Sequence, residues 1–211
     1  MQEHHNVFFI LRHGQSEANV AKIISSSPAT GTTTHRLTEK GHEQAHSAGG
    51  RFVEEFLSKY PGRELMIVSS DFLRAKETAE DVEKVVRSLP TQKVSLTLEP
   101  RLRERSFGTW EGQSTDHYND VWQHDALDAD HHVFQVESVN QVRNRATDVV
   151  NELNTHNHGK FILLVAHGDV LQILQTAFLR ADPRSHRSLR HLENAEVRLM
   201  TPTMLPAQGD H

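Results

Sequence analysis

The chain has 211 residues, a formal charge of -5 and no cysteine. That length supports a hydrophobic core without disulfides or a structural metal, and the missing thiols exclude thiolate metal sites and thiol catalysis. Lys and Arg are scattered rather than clustered, which argues against a nucleic-acid surface, so any anion site must be built locally against the overall field.

The first element predicted is a short strand, Val7 to Leu11, apolar on both faces as in a parallel sheet. The approach to it, MQEHHNVFFIL, lacks the basic segment and longer apolar run of a secretory leader. No later run approaches the roughly eighteen apolar residues of a membrane span. A cytoplasmic protein without a membrane partner is therefore expected. Residues 20–37, rich in Ser, Thr, Pro and Gly, read as a loop. Thr38 caps a helix that shows Ala45, Phe52 and Phe56 on one side and is weakened by Gly49-Gly50. Leu65 to Val68 is a second strand, and Ser69-Ser70-Asp71 is expected to start a helix. Its stripe of Ala75, Ala79, Val82, Val86 and Leu89 keeps the 3.6 period.

Val94, Leu96 and Leu98 alternate, as in a strand near an edge. About 108–137 the sequence is polar, aromatic and irregular, and reads as a lid-like excursion rather than a second domain. Ser138 to Gln141 fits a capping box opening a helix with Val142, Ala146, Val149 and Leu153 inward. Phe161 to Val165 is another buried strand, followed by a helix from Asp169 to about Leu179 and a last strand within Ala195 to Met200. Strands alternating with helices predict a layered α/β fold with a largely parallel sheet. The whole chain, 1–211, reads as one domain with that excursion.

Two of the buried strands end alike, in FFILRHG at 8–14 and FILLVAHG at 161–168. In parallel sheets ligands bind beyond the carboxyl ends of the strands, so Arg12, His13 and His167 are expected at one place, with Arg74 one turn into a helix nearby. Two guanidiniums and two imidazoles describe a site for a tetrahedral oxyanion, since the planar fork of Arg suits phosphate. Helix starts after Gly14 and Gly168 are expected to add backbone N–H groups, with no side chain to keep the backbone from the anion. The 16 histidines include the close pairs His4–His5, His131–His132 and His156–His158. None has the ligand spacing of a metal site, and neither metal nor cofactor is expected.

These segments resemble the histidine phosphatase superfamily, the phosphoglycerate mutase-like proteins. RHGQSEAN at 12–19 is similar to that family's opening signature, and Leu37-Thr38, Gly41 and Gln44-Ala45 to the segment after it. SSDFLRAKETA at 69–79, LRERSFGTWEG at 102–112 and VAHGDV at 165–170 match three further motifs. Glu137-Ser138 stands where the family often has GES, with Val136 in place of the glycine. The resemblance implies a three-layer sandwich with a mostly parallel central sheet and helices on both faces. It implies His13 as a nucleophile that becomes a phosphohistidine, with Arg12, Arg74 and His167 on the non-bridging oxygens. Asn19 and Ser16 would add neutral hydrogen bonds, and Glu104 would serve as acid and then base.

The resemblance leaves the branch of the family to the residues. Cofactor-dependent mutases carry a longer segment between the acid and the second histidine, with an adjacent arginine pair. Here no such pair separates Glu104 from His167. A phosphatase acting on phosphate monoesters of small molecules is expected, a phosphoprotein being a further candidate. Mutase-type transfer and a non-catalytic phospholigand-binding protein are the alternatives. Lys22, His35, Arg36, His124 and His131 are candidates for contact with a second phosphate, each with surface exposure as its simpler reading.

Overall fold

The computed structural model describes residues 5–200, so that His4 of the His4–His5 pair lies outside them. Its strands are β1 (Val7–Arg12), β2 (Leu65–Ser69), β3 (Val94–Leu98), β4 (Phe161–Ala166) and β5 (Val197–Met200). They form one sheet in the order β3-β2-β4-β1-β5. All neighbours are parallel except β5, which runs antiparallel to β1 at the edge.

Alternation along the strands builds a core on each face of the sheet. Phe8 and Ile10 of β1, with Ile162 and Leu164 of β4, face helices α6 (Val139–His156) and α7 (Gly168–Phe178). Phe9 and Leu11, with Leu163 and Val165, face α3 (Glu39–Glu55) and α4 (Leu73–Arg87). The Phe9 ring meets Phe52 at 4.8 Å, Phe56 at 4.7 Å and Phe161 at 5.4 Å, all edge-on. Truncating such a ring to alanine costs about 3–5 kcal/mol. The layered arrangement expected from the alternation of elements is the one observed, and β3 is indeed an edge strand.

Three boundaries differ from the sequence reading. Helix α4 starts at Leu73 rather than at Ser69-Ser70-Asp71. Ser69 completes β2, and Ser70 Oγ accepts the N–H of Phe72 as the chain turns. The loop at 20–37 holds the end of α1 (Glu17–Ala21) and a single turn, α2 (Pro28–Gly31), where Ser27 caps and Pro28 starts the helix. The excursion contains α5 (Tyr118–Asp125), and its Val121 and Val136 form a small separate core with Phe107 and with Ile24 of the 20–37 loop, flanked by Trp110, Tyr118 and Phe134.

One pairing decides where the chemistry sits. In the β1–β4 register Arg12 lies opposite Ala166, so His13 and His167 leave the sheet side by side.

Candidate active site

Beyond that sheet end is a cavity of about 230 Å³. Its wall includes Arg12, His13, Ser16, Asn19, Arg74, Glu104 and Gly168, seven of the nine residues expected there. His167 stands behind His13, with ring centroids 5.2 Å apart. Gly14 is not on the wall.

The protonation of His13 is fixed by its neighbours. Nδ1 lies 2.7 Å from the carbonyl of Gly14, which can only accept, so Nδ1 carries the hydrogen. Nε2 faces the Nε–H of Arg74 at 3.2 Å and must be a bare lone pair. Burial and then the Arg74 and Arg12 charges hold this imidazole well below its ordinary range, which keeps it neutral. A neutral imidazole with Nε2 turned to the cavity is a ready nucleophile.

The donors around it are fixed with equal care. Arg12 spends Nη1 on the carbonyl of Leu192 (2.7 Å) and on His191 Nε2 (2.9 Å), while its buried Nε has no protein partner. A Cβ on Gly168 would lie 3.5 Å from that Nε, so the glycine leaves the atom uncovered. Arg74 is anchored on Ser25, with Nη2 donating to its carbonyl at 2.8 Å. His167 Nε2 meets Ser70 Oγ at 2.8 Å, and its buried Nδ1 has no partner. The Ser70 hydroxyl accepts from Phe72 and can give its own hydrogen to Nε2, and in that arrangement the ring carries its proton on Nδ1. Burial and the Arg74 charge hold His167 neutral as well. Among the described residues, two buried nitrogens thus lack a partner, Arg12 Nε on a residue of the cavity wall and His167 Nδ1 in the ring packed against His13. Buried polar atoms are seldom left unpaired, and a bound oxyanion would satisfy both.

Glu104 lines the same cavity. Burial, and secondarily the Asp169 charge, raise its carboxyl to about 7, against the opposing pull of Arg74 and Arg12. Its Oε1 accepts the N–H of Arg105 at 2.9 Å, which fixes one oxygen. Near neutral pH this group can hold a proton and release it, as general acid–base work requires.

Two expectations need correction. Gly14 offers no amide to an anion, because its N–H goes to Thr78 Oγ1 at 3.0 Å. Its lack of a side chain serves packing instead, since a Cβ would meet the carbonyl oxygen of Gly41 at 2.4 Å. The Ser16 hydroxyl is occupied in a capping box with Asn19, so it shapes the loop rather than standing free for a ligand. Asn19 Oδ1 is held by Ser16 and by Asn194, which leaves the amide NH₂ of Asn19 as its donor on the wall.

All five second-phosphate candidates have partners elsewhere or stand off the wall. His35 bonds Ser25, Arg36 pairs with Glu77, and the largely buried His131 holds Asp125. Lys22 closes α1 in a left-handed turn, and His124 packs beside His131.

The loop after α1 gives the outer wall Ile23 and Ser25, and the lid-like excursion adds to it as the sequence suggests, while the part near the C-terminal end was not legible from motifs. Tyr118 and Trp122 come from α5, Asp169 from the first turn of α7, and Arg187 and His191 from the stretch before β5. Asn194 also holds the main-chain oxygen of His13. Behind this wall lies Arg105, wholly buried, with both terminal nitrogens on Asp125 at 2.7 Å and one also 3.2 Å from Asp169. The sequence placed Arg105 beside Glu104 as a plain charged neighbour.

Residues 8–204 match the histidine phosphatase superfamily (branch 1). The chain belongs to that family. It is 32% identical over 184 residues to a glucosyl-3-phosphoglycerate phosphatase of Mycolicibacterium vanbaalenii, covering 81% of this chain and 72% of the relative. A probable phosphoglycerate mutase, GpmB, of Photorhabdus laumondii is 29% identical over 187 residues, covering 86% and 79%. Among solved structures, a mycobacterial glucosyl-3-phosphoglycerate phosphatase in complex with VO3 superposes with a TM-score of 0.74 at 25% identity, covering 92% of this chain and 90% of that one. YhfR of Bacillus stearothermophilus gives 0.69 at 26% identity with the same coverage. Relatives of this chain therefore include both phosphatases and mutase-named proteins. No helix among its described residues is long and apolar enough to cross a membrane.

Proposed function

We propose that this histidine phosphatase hydrolyses phosphate monoesters of small molecules in the cytoplasm, through a phosphohistidine on His13. The observation that carries the reading is a neutral His13 with Nε2 bare, next to two buried nitrogens without partners among the described residues, Arg12 Nε and His167 Nδ1. A phosphoryl group seated there would receive hydrogen bonds from both. It would draw the Arg74 Nε–H away from Nε2 and free the lone pair for in-line attack. Positioning and charge stabilisation of this kind supply most of the catalysis in phosphoryl transfer. Glu104 would protonate the departing alkoxide, then take a proton from the water that hydrolyses phosphohistidine. Similar solved phosphatases, captured with VO3 and with inorganic phosphate, support an oxyanion as the occupant.

Mutase-type transfer is the second reading, favoured by the GpmB-named relatives. Against it, Glu104 and His167 are separated by a short segment without an adjacent arginine pair. The deciding experiment incubates purified protein with a panel of small phosphomonoesters and resolves the products. Free phosphate in step with dephosphorylated product is the expected result. Positional isomers without net phosphate release would establish transfer, and silence across the panel would leave a binding protein.

A further inference from the structure

The outer part of the cavity holds a third guanidinium besides those of Arg12 and Arg74. Arg187 lies on the Trp122 ring, its guanidinium carbon 3.6 Å from the ring centroid, and both residues line the cavity. Among the described residues its one ionic contact is Nη1 to Asp169 Oδ1 at 3.5 Å, too long for a good hydrogen bond. That carboxylate is already engaged, Oδ1 by the indole N–H of Trp122 at 3.1 Å and Oδ2 by the buried Arg105 at 3.2 Å. Trp122 is itself steadied by Tyr118, parallel to it at 5.1 Å. Arg187 is thus held in plane by the ring and the Asp169 charge, while its fork of N–H donors stays unspent. Its side chain keeps 29% exposure, which suits a group at a cavity mouth.

A guanidinium oriented beforehand loses little entropy on meeting a planar or tetrahedral oxyanion. The cavity is small, about 230 Å³, so a ligand whose phosphoryl group reaches His13 has only a few further heavy atoms to place against this wall. Resting on the reading of the inner site as a phosphoryl site, we propose that Arg187 is the specificity-determining residue for the leaving group. The preferred substrates are small phosphomonoesters whose leaving group carries a second oxyanion, a carboxylate or another phosphate. Trp122 and Asp169 are its positioning residues.

Equilibrium binding tests this without requiring turnover, because phosphonates keep the tetrahedral group on a bond that is not hydrolysed. Calorimetry on the full chain compares phosphonopropanoate with propylphosphonate and phosphonobutanoate with butylphosphonate. Propylene bisphosphonate forms a third arm that separates carboxylate from phosphate as the preferred group. Wild type is expected to bind at least one charged member about tenfold or more tighter than its alkyl partner, as a charge-assisted bidentate contact gives. Arg187→Met, which keeps an apolar stem against Trp122, should erase most of that ratio, and Arg187→Lys should restore part of it. A wild-type ratio near one overturns the proposal whether or not any variant folds. So does an Arg187→Met protein that weakens charged and uncharged ligands equally, since that marks a merely structural role. Vanadate is the control: if it binds while the ratio is absent, only the Arg187 assignment fails. If vanadate and both phosphonate classes fail to bind wild type, the phosphoryl-site reading falls with it.

Discussion

The Nε–H of Arg74 meets Nε2 of His13 at 3.2 Å, so the guanidinium occupies the atom proposed to attack. The contact guards the neutral tautomer, and on the proposed mechanism it is exchanged for a phosphoryl oxygen when substrate binds. Lysine at this position would keep the charge and lose the planar fork, along with the anchoring bond to the Ser25 carbonyl.

Arg74→Lys should therefore lower kcat/KM by a factor equivalent to about 2–4 kcal/mol of transition-state stabilisation. Steady-state kinetics on an aryl phosphate measures it. Near-normal activity would remove Arg74 from the transferring group.

A brief reaction with labelled substrate, quenched without acid, should leave label on His13 that is lost on acid treatment. His13→Ala should trap none and turn over negligibly, since Nε2 of His13 is the bare ring nitrogen facing the cavity. His167→Ala should still form the adduct slowly, having lost one donor rather than the nucleophile. Label recovered on His167 would reverse the two roles.

Much of this site was legible because its chemistry is written in short local strings. RHG and AHG follow runs that only a buried parallel strand accommodates, and the β1–β4 register then brings His13 and His167 together without further information. What stayed hidden depends on contacts between distant segments. Arg187 rests on Trp122 across 65 positions and Asp125 binds Arg105 across 20, and no periodicity links such pairs. Gly14 and Ser16 are harder to read from a string. Both belong to the loop's own packing and capping, which a motif cannot distinguish from ligand contact.

Chelator should leave the rate unchanged. The positive charge that many phosphatases draw from divalent metal is here supplied by Arg12 and Arg74, directed into the same cavity as His13. Loss of turnover in EDTA, restored by one divalent ion, would overturn this account.

The pH profile of kcat/KM should be bell-shaped, with signs set by His13 and Glu104. His13 must be deprotonated, and burial beside Arg74 and Arg12 places its limb well below 6.5. Glu104 must be protonated to serve as acid, so activity with an alkyl phosphate should fall as pH rises through about 7. In Glu104→Gln that alkaline limb should vanish. A limb that persists unchanged in the variant would belong to another group, the substrate included.

Glu104 also offers a test in which loss of function and gain of stability should appear in one substitution. Glu104→Gln should be severe with alkyl phosphates, whose alkoxide must be protonated, and milder with aryl phosphates, which leave without a proton. Equal losses on both would remove Glu104 as the acid. The same carboxyl is raised from 4.5 to about 7 by burial, so between those values the folded protein binds more protons than the unfolded chain. Its contribution is fully present below pH 4.5 and is lost as pH rises through about 7, where the buried charge costs up to about 3 kcal/mol. Glutamine has no charge to bury and can still accept the N–H of Arg105 through its carbonyl oxygen. Urea unfolding of both proteins at pH 5 and at pH 8.5 should show the variant gaining on wild type at the higher pH by about 1–3 kcal/mol. A difference that does not change with pH would mean the Glu104 carboxylate is solvated by the cavity and not desolvated by the protein, and its role as a neutral-pH acid would go with it.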